Sequence, residues 1–415
     1  MSQPIAIVGM GCRFPGARTP DQLWDLLVDR RDAVTAHPPA DRPWITGPGG
    51  YLDHEDFDPD LYHLTAREAE ALDPQHQVLL TTAWDALRDA GHTAESLAGR
   101  DVGVFTGQST GEHWDGRRGD VDMYAIAGAA ARSMASGRIS HAWDLRGPCA
   151  TVDAACSSGT LAVHLACQSI RTGECDTALA GGVSLVLGGD HTDGYAAARL
   201  LSPTGRCHFA DDAADGFVRS DGAAVLVLKR LDQALADGDR VHGVIRGSAQ
   251  ASKGRTAKAI IAPSVEGYLQ VITRACATAG ITPAQVGYVE AHGNAAPAGD
   301  ALELQAIGTA IGTHRPPGEP CLVGSVKSTI GHPEAAGGLA GLIRATLTLR
   351  HRRLLAGPRP VAPTSAVDWA GLGIALVHDH TDWPYDGEAY AGVSTYGLSG
   401  TFVHVVLSEP PAPTS

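Results

Sequence analysis

The sequence predicts an α/β protein of two comparable halves, and three observations carry this prediction. Short apolar runs rich in β-branched residues alternate with helix-periodic segments along the chain. Most internal runs are continuously apolar instead of alternating, which is typical of sheets that helices cover on both faces. The runs also divide into two similar sets that meet near residues 232–240.

The predicted strands of the first set lie at residues 5–8, 102–106, 151–153, 178–180 and 223–228. Those of the second set lie at residues 241–246, 286–290, 322–326, 374–377, 392–395 and 403–407. Helical periodicity is clearest over residues 161–170 and 267–279. We therefore expect one domain over residues 1–235, a second over 236–409, and a short Pro-rich tail over 410–415.

Composition and charge exclude several classes of function. The 415 residues carry a net charge of −14, so neither a nucleic-acid partner nor an anionic membrane partner is expected. No apolar run reaches membrane-spanning length and residues 1–11 lack the basic start of a signal peptide, which favours a cytoplasmic protein. The eight cysteines include no CxxC pair, so no metal site and no disulfide framework is expected.

Cys156 is the cysteine whose surroundings indicate chemistry. It lies in VDAACSSG at residues 152–159, between a predicted strand and a predicted helix, as a nucleophile on a sharp strand-to-helix turn does. The helix N-terminus would stabilise a thiolate, and free amides there could form an oxyanion hole. The local pattern by itself fits a buried structural cysteine equally well.

Two histidines each follow a predicted strand, where α/β proteins usually build their sites. His292 lies in VEAHG at residues 289–293, and His332 ends GSVKSTIGH at residues 324–332, five residues after Lys327. A lone histidine at such a place is more often structural. A cysteine with two strand-end histidines, however, can support nucleophilic acyl transfer with proton transfer or enolate stabilisation.

Together these segments resemble the ketosynthases of bacterial polyketide synthases. The stretch that begins VDAACSSG resembles their active-site segment, VEAHG their first histidine motif, and GSVKSTIGH their second. Further similar stretches are PIAIVGMGCRFPG near the start, AREAEALDPQHQVLL, and GVSTYGLSGTFVHVVL near the end. The resemblance follows the family order and covers about residues 4–408.

The resemblance implies a thiolase fold of two stacked βαβαβ-type halves, usually in a homodimer. It implies an acyltransferase that takes an acyl chain from an acyl carrier protein onto Cys156. The chain is then joined to a decarboxylated malonyl-type extender by a Claisen-type condensation, in polyketide biosynthesis that includes antibiotics. No bound cofactor is implied, since the substrate arrives on the phosphopantetheine of the carrier protein.

The resemblance also assigns roles to individual residues. The implied catalytic residues are Cys156, His292, His332 and Lys327, with Asp300 and Glu303 as supporting partners. The backbone amides of Cys156 and Leu398 would form the oxyanion hole, and Tyr396 and Leu398 would line a gating loop.

The sequence departs from the family where the phosphopantetheine arm would bind. Asn294 and Ala296 replace two threonines whose hydroxyls contact the arm, and each missing hydrogen bond weakens binding by roughly 0.5–1.5 kcal/mol. Phe402 replaces a polar residue near the gating loop. Asn294, Ala296 and Phe402 are therefore the predicted arm contacts of a more apolar pocket. Residues 251–254 read ASKG where the family has Asn-Gln-Asp-Gly, and residues 258–261 read KAII where it has Asn-Gly-Leu-Thr.

Two alternatives follow from these departures. A non-elongating variant would transfer or cyclise one loaded acyl chain, because a single-substrate reaction needs no seat for a second arm. A dimerising partner subunit without catalysis is the non-enzyme alternative. Such partners lack the nucleophile, whereas Cys156 and both histidines are retained here.

Overall fold

The computed structural model of the protein describes residues 3–53, 55–116, 121–257, 259–359 and 361–412. The strands of the first half are β1 (Ile5–Arg13), β2 (Val102–Gly107), β3 (Cys149–Val152), β4 (Thr177–Ser184) and β5 (Gly222–Arg230). Those of the second half are β6 (Gly243–Ser252), β7 (Val286–Glu290), β8 (Cys321–Gly324), β9 (Arg353–Leu354), β10 (Ile374–Leu376), β11 (Thr381–Asp382), β12 (Tyr390–Tyr396) and β13 (Thr401–Ser408).

The helices of the first half are α1 (Pro20–Val28), α2 (Ala66–Ala71), α3 (Pro74–Asp89), α4 (Glu112–Asp115), α5 (Met123–Ala125), α6 (Met134–Ala142), α7 (Ser158–Thr172), α8 (Asp190–Ala197) and α9 (Leu231–Asp237). Those of the second half are α10 (Val265–Ala279), α11 (Pro297–Ala310), α12 (Lys327–Ile330) and α13 (Gly337–His351). A π-helical turn spans Ile126–Ala130, and 3₁₀ turns span Pro59–Tyr62, Pro283–Gln285, Gly312–His314 and Glu334–Ala336.

The α/β prediction is confirmed element by element. Each predicted strand overlaps an observed one, and the two predicted helices correspond to α7 and α10. The short strands β9 and β11, which pair with each other, were not predicted. The predicted tail is described only as far as residue 412, and residues 413–415 lie outside the described part of the chain.

One mixed sheet runs through both halves. Its strand order is β10-β8-β7-β12-β13-β6-β1-β5-β4-β2-β3. The halves join where β1 and β6 pair antiparallel, through the pairs Ile5–Ile245, Ala6–Val244 and Ile7–Gly243. Because the sheet is continuous across this junction, the division into two domains near residue 235 stays a prediction.

Helices α7 and α13 pack against each other in a central layer and contact strands of both halves. All residues of α13 from Gly337 to Leu349 are buried, which is typical of a helix enclosed on every side. A β-carbon added at Gly338 would lie 1.8 Å from the Thr160 hydroxyl, and one at Gly159 would lie 2.6 Å from the Ala335 carbonyl. Glycines at these contacts therefore let the first turns of the two helices meet closely.

The outer faces of the sheet are covered by other helices. Helix α3 packs on β1 and β5 of the first half, and α10 packs on β6 and β13 of the second. The central layer and these outer helices give the layered arrangement that the continuously apolar strands predict. No helix in the described ranges is long and apolar enough to cross a membrane.

Candidate active site

Cys156 lies on a sharp turn between β3 and α7. Ala155, directly before it, has a φ of 52°, a left-handed conformation that costs a non-glycine residue ~1–3 kcal/mol. Two side chains hold this turn. The Asp153 carboxylate accepts the N–H of Ala155 at 3.0 Å, and the Ser158 hydroxyl donates to the Ala155 carbonyl at 2.6 Å. The strand-to-helix turn that the sequence predicts is therefore present and braced.

Cys156 opens into a cavity of about 340 Å³. The predicted site residues in its lining are Cys156, His292, Asn294, Ala296, Asp300, Glu303, His332, Tyr396 and Leu398. Tyr195, Phe217, Ile261 and Glu334 also line it. The fold thus brings together residues that lie more than 200 positions apart in the sequence.

The two histidines lie side by side at this cavity. The ring centroids of His292 and His332 are 5.4 Å apart, with the rings nearly perpendicular at 89°. Nδ1 of His292 accepts the Tyr396 N–H at 3.4 Å, which leaves the proton on Nε2. Neither ring nitrogen of His332 has a hydrogen-bond partner among the described residues, although both are buried.

Both histidines are neutral in this environment. Burial, and then the positive charge of Lys327, hold the pKa values of His292 and His332 well below 6.5. Lys327 begins α12 and is 2% exposed. A β-carbon at Gly337 would lie 3.2 Å from Nδ1 of His332 and 3.4 Å from Cε of Lys327, so both side chains pack against the bare start of α13.

Buried carboxylates of α11 support the loop that carries His292. The Glu303 carboxylate accepts the N–H groups of His292 at 2.7 Å and Gly293 at 2.9 Å, and Asp300 accepts the N–H of Ala210 at 3.1 Å. Burial raises the pKa of Asp300 to about 8 and that of Glu303 to about 7, while these backbone donors act in the opposite direction. The supporting role that the resemblance implies for both residues has a physical basis in these contacts.

The electrostatics of Cys156 differ from the expectation. Burial raises the pKa of its thiol to about 12, and the Glu334 charge adds to the rise, while Lys327 opposes it. A helix N-terminus favours an anion by ~2 kcal/mol at most, which lowers a pKa by only ~1.5. Burial therefore outweighs the start of α7. Against the expected thiolate, this raised pKa favours a neutral thiol at Cys156 in the resting site, so that its attack on a thioester needs a base.

Cys156 and Leu398, which both line the cavity, each have a backbone N–H group that is free of a backbone partner in the described residues. The turn that carries Leu398 packs directly on the elbow, since a β-carbon at Gly397 would lie 2.0 Å from the Ala154 carbonyl oxygen. These two N–H groups can therefore donate hydrogen bonds to an oxyanion formed at a thioester carbonyl on Cys156.

Of the three predicted arm contacts, Phe402 is corrected by the structure. It is fully buried, with its ring centroid 4.7 Å from that of Tyr268 and 4.8 Å from that of Tyr396. It supports Tyr396 from behind and does not line the cavity. Asn294 and Ala296 do line the cavity, and the side-chain oxygen Oδ1 of Asn294 accepts the N–H of Ala296 at 3.3 Å within its own turn.

Sequence reasoning missed a buried ion network that reaches the cavity. Arg219 pairs with Glu334 and Glu112 at 2.7 Å each, and the three side chains are at most 4% exposed. Glu334 could have been noticed, because it lies only two residues after His332, the last residue of the second histidine motif. Arg219 and Glu112 carry no such signal. No group of metal-ligating side chains occurs in the residues that the structure describes.

Solved structures place this architecture among known enzymes. The ketosynthase from module 6 of the bacillaene synthase from Bacillus subtilis 168 has a TM-score of 0.91 and 36% identity, covering 98% of this chain and 72% of that one. The oxazolomycin ketosynthase domain from Streptomyces albus JA3453 has a TM-score of 0.90 and 32% identity, covering 100% and 75%. The fold is thus the thiolase fold, and fold and site together define an acyl-transferring condensing enzyme.

The chain belongs to the β-ketoacyl synthase family. It matches the N-terminal domain of that family over residues 2–234 and the C-terminal domain over residues 242–357. A phenolphthiocerol/phthiocerol polyketide synthase of Mycobacterium bovis is 40% identical over 430 residues, which cover 99% of this chain and 23% of that protein. The mycocerosic acid synthase-like polyketide synthase of Mycolicibacterium smegmatis is 42% identical, with 98% and 20% covered. The chain thus spans about a fifth to a quarter of these relatives.

Proposed function

We propose that this chain is a ketosynthase that joins carrier-bound acyl chains by Claisen-type condensation in polyketide biosynthesis. The observation that carries the proposal is the placement of Cys156 in one cavity with two neutral histidines. The relatives that it matches over nearly its whole length are polyketide synthases, which favours the same substrate class.

In the loading step, Sγ of Cys156 attacks the thioester carbonyl of an acyl chain held on the phosphopantetheine of an acyl carrier protein. His332, whose ring nitrogens have no partner in the described residues, accepts the thiol proton. The amides of Cys156 and Leu398 bind the oxyanion. Collapse of the intermediate expels the phosphopantetheine thiolate, which takes up that proton, and leaves the acyl chain on Cys156.

In the condensation step, a malonyl-type extender loses carbon dioxide and its enolate carbon attacks the thioester carbonyl on Cys156. The new carbon–carbon bond forms as the sulfur leaves. His292 presents Nε2–H to the cavity, because Nδ1 accepts the Tyr396 N–H, and this proton stabilises the enolate oxygen. Lys327 keeps both histidines neutral and opposes the high pKa of Cys156.

The loading step is tested by intact-mass measurement of the purified chain after incubation with acyl carrier protein bearing an acyl group. We expect one acyl addition, its complete loss in Cys156→Ala, and its retention in the matched control Cys149→Ala, since Cys149 is exposed on β3 away from the cavity. Acylation that survives in Cys156→Ala would contradict the assignment. A chain that takes up no acyl group would instead support the non-catalytic partner subunit.

A second candidate is the non-elongating variant that transfers or cyclises a single loaded chain. It is favoured by Asn294 and Ala296, which line the cavity without the hydroxyls that would hold a second arm. Release of carbon dioxide from labelled malonyl carrier protein separates the two candidates. Fast release supports elongation. Slow release that rises up to ~10-fold for each restored hydroxyl in Asn294→Thr with Ala296→Thr supports the variant.

We extend the proposal to a cytoplasmic homodimer. Strand β3 ends the sheet, and no strand of the described residues pairs with its outer edge; such edges are usually covered in stable proteins. The exposed apolar side chains of Val121, Met123, Tyr124 and Ile126 precede α6, which packs on β3. Sedimentation velocity at micromolar concentration, compared with the edge variant Thr151→Pro, tests whether β3 forms the dimer contact.

A further inference from the structure

A short loop with unusual polar contacts lies at the mouth of the Cys156 cavity. We call residues 259–262 the strap; Lys258 before it lies outside the described residues. Ile261 of the strap lines the cavity, and the side chains of Ile260 and Ile261 are 73% and 54% exposed. The strap therefore presents apolar side chains at the entrance of the cavity. Its backbone carbonyl groups face away from these side chains.

Lys253 binds the inner side of the strap. Its ammonium donates to the carbonyl oxygens of Ala259 at 2.9 Å, Ile260 at 2.6 Å, and Ala262. All three of its N–H donors are thus used, although the residue is only 5% exposed. Burial lowers the pKa of Lys253, and no carboxylate of the described residues offsets that effect. The hydrogen bonds to the three carbonyl oxygens offset the cost of burying this cation.

Tyr396 binds the remaining carbonyl of the strap. Its hydroxyl donates to the Ile261 carbonyl oxygen at 2.9 Å, so two side chains hold all four strap carbonyls. The same tyrosine gives its backbone N–H to His292. The strap is therefore linked to the histidine wall of the cavity through one aromatic residue.

Lys253 also contacts the turn that carries Leu398. Its backbone N–H donates to the Gly400 carbonyl at 3.0 Å. A β-carbon at Gly400 would lie 3.1 Å from Cε of Lys253, so the lysine stem packs on the bare glycine. The ammonium lies 5.9 Å from the centroid of the Tyr396 ring. One residue thus joins the strap, the tyrosine and the turn.

We propose that Lys253 is a positioning residue that fixes the strap across the mouth of the cavity and so selects short acyl chains over long ones. This rests on the proposed acylation of Cys156. An acyl chain too long for the cavity must push Ile261 outward, which breaks bonds to Lys253 and Tyr396.

The test compares the rates at which butanoyl and decanoyl N-acetylcysteamine thioesters acylate Cys156. Acyl addition is measured from the mass of the intact chain. The variants are Lys253→Met, which keeps the stem and removes the donors, Tyr396→Phe, and the double variant. Lys229→Met is the matched control, because Lys229 pairs with Asp237 and Asp239 and is not part of the cavity lining. Lys253→Arg, which restores donors, is the rescue.

We expect the decanoyl-to-butanoyl rate ratio to rise about 2- to 10-fold in Tyr396→Phe, the range for losing one hydrogen bond, and to rise at least as much in Lys253→Met, which loses three. The rate ratio of the double variant should be only slightly higher than that of the more affected single variant, because both residues hold the same strap. Lys229→Met and Lys253→Arg should keep the wild-type ratio.

An unchanged ratio in both single variants, or fully additive effects in the double variant, overturns the proposal. If Lys253→Met fails to fold, Tyr396→Phe decides the matter by the same criterion. Failure of the wild-type chain to acylate Cys156 would overturn the proposed function instead, so the two failures are distinguishable.

Discussion

The two halves of the molecule place their functional groups by different means. In the first half, the residue with positive φ before the nucleophile is Ala155, whose side chain makes that conformation strained. In the second half, the positive-φ residues next to the histidines are Gly293 and Gly331, for which the conformation is free of strain. The residue directly before the nucleophile is therefore strained, whereas the residues directly beside the histidines are glycines. The nearest strained residues of the second half, Ala295 and Glu334 with φ of 63° and 30°, lie three and two positions further on.

This difference shows which contacts each functional group depends on. Cys156 depends on a turn braced by Asp153 and Ser158, and its chemistry depends on a base, because burial holds the pKa of its thiol near 12. His292 depends on the Glu303 carboxylate and on Tyr396, which fix its loop and its tautomer. Changes to one half should therefore affect loading and condensation to different extents.

The largest effect is expected for His292→Ala. It should lower condensation by about 10²- to 10⁴-fold while loading of Cys156 falls less than about tenfold, because His292 donates to the enolate and is not the base for the thiol. Single-turnover acylation and product formation are measured on the same preparation. Equal loss in both steps would show that His292 also acts in loading.

Phe402→Ala tests whether packing in the second half positions Tyr396. Phe402 is fully buried against Tyr268 and Tyr396, so truncation should lower the free energy of unfolding by ~3–5 kcal/mol. Urea denaturation measures this loss, with Phe57→Ala, whose side chain is less buried, as the comparison. A loss below ~1 kcal/mol would mean that the second half tolerates a cavity behind Tyr396.

The pH dependence of loading tests the need for a base. If a neutral histidine removes the thiol proton, the acylation rate rises far less than tenfold per pH unit between about pH 7 and 9, because the histidine pKa values lie well below 6.5 and that of Cys156 near 12. Of the supporting residues, only Asp300 and Glu303 titrate in this range, and neither is the base. Attack by a preformed thiolate would instead rise about tenfold per pH unit. Rates with an acyl N-acetylcysteamine thioester at constant ionic strength distinguish the two.

The smallest effect is expected for Ala155→Gly. Relief of the positive φ and the larger entropy of the unfolded glycine oppose each other, so the free energy of unfolding should change by less than ~1 kcal/mol. Acylation should slow a few-fold, since a looser turn aims the sulfur less well. Thermal unfolding and the acylation rate are measured together. Faster acylation in the variant would mean that the strain at Ala155 opposes catalysis.

The sequence was sufficient to predict the strands and to single out Cys156, His292 and His332, because the signals for both are local. Continuous apolar runs mark buried strands wherever they occur, and Cys156, His292 and His332 each stand in a motif next to a strand. Strands β9 and β11, of two residues each, are too short to leave a periodic pattern.

The remaining contacts depend on residues that meet only in three dimensions. Arg219 joins Glu112 across more than 100 positions, and neither residue lies in a motif that indicates an ion pair. Phe402 was expected at the substrate because it lies near Leu398 in sequence. Its strand instead turns the ring toward Tyr268 in the core, and a one-position step along a strand exchanges the two faces.

The position of β1 in the middle of the sheet also affects how the chain reaches its native state. Both neighbours of β1 lie more than 200 residues downstream, since it pairs with β5 and β6. Ribosomes add about 5–20 residues per second, so β1 waits roughly 10–40 s for either partner. During that interval both edges of β1 lack their native partner strands, and such long-range pairing is slow. Newly made chains should therefore depend on chaperones until residues 222–252 have emerged.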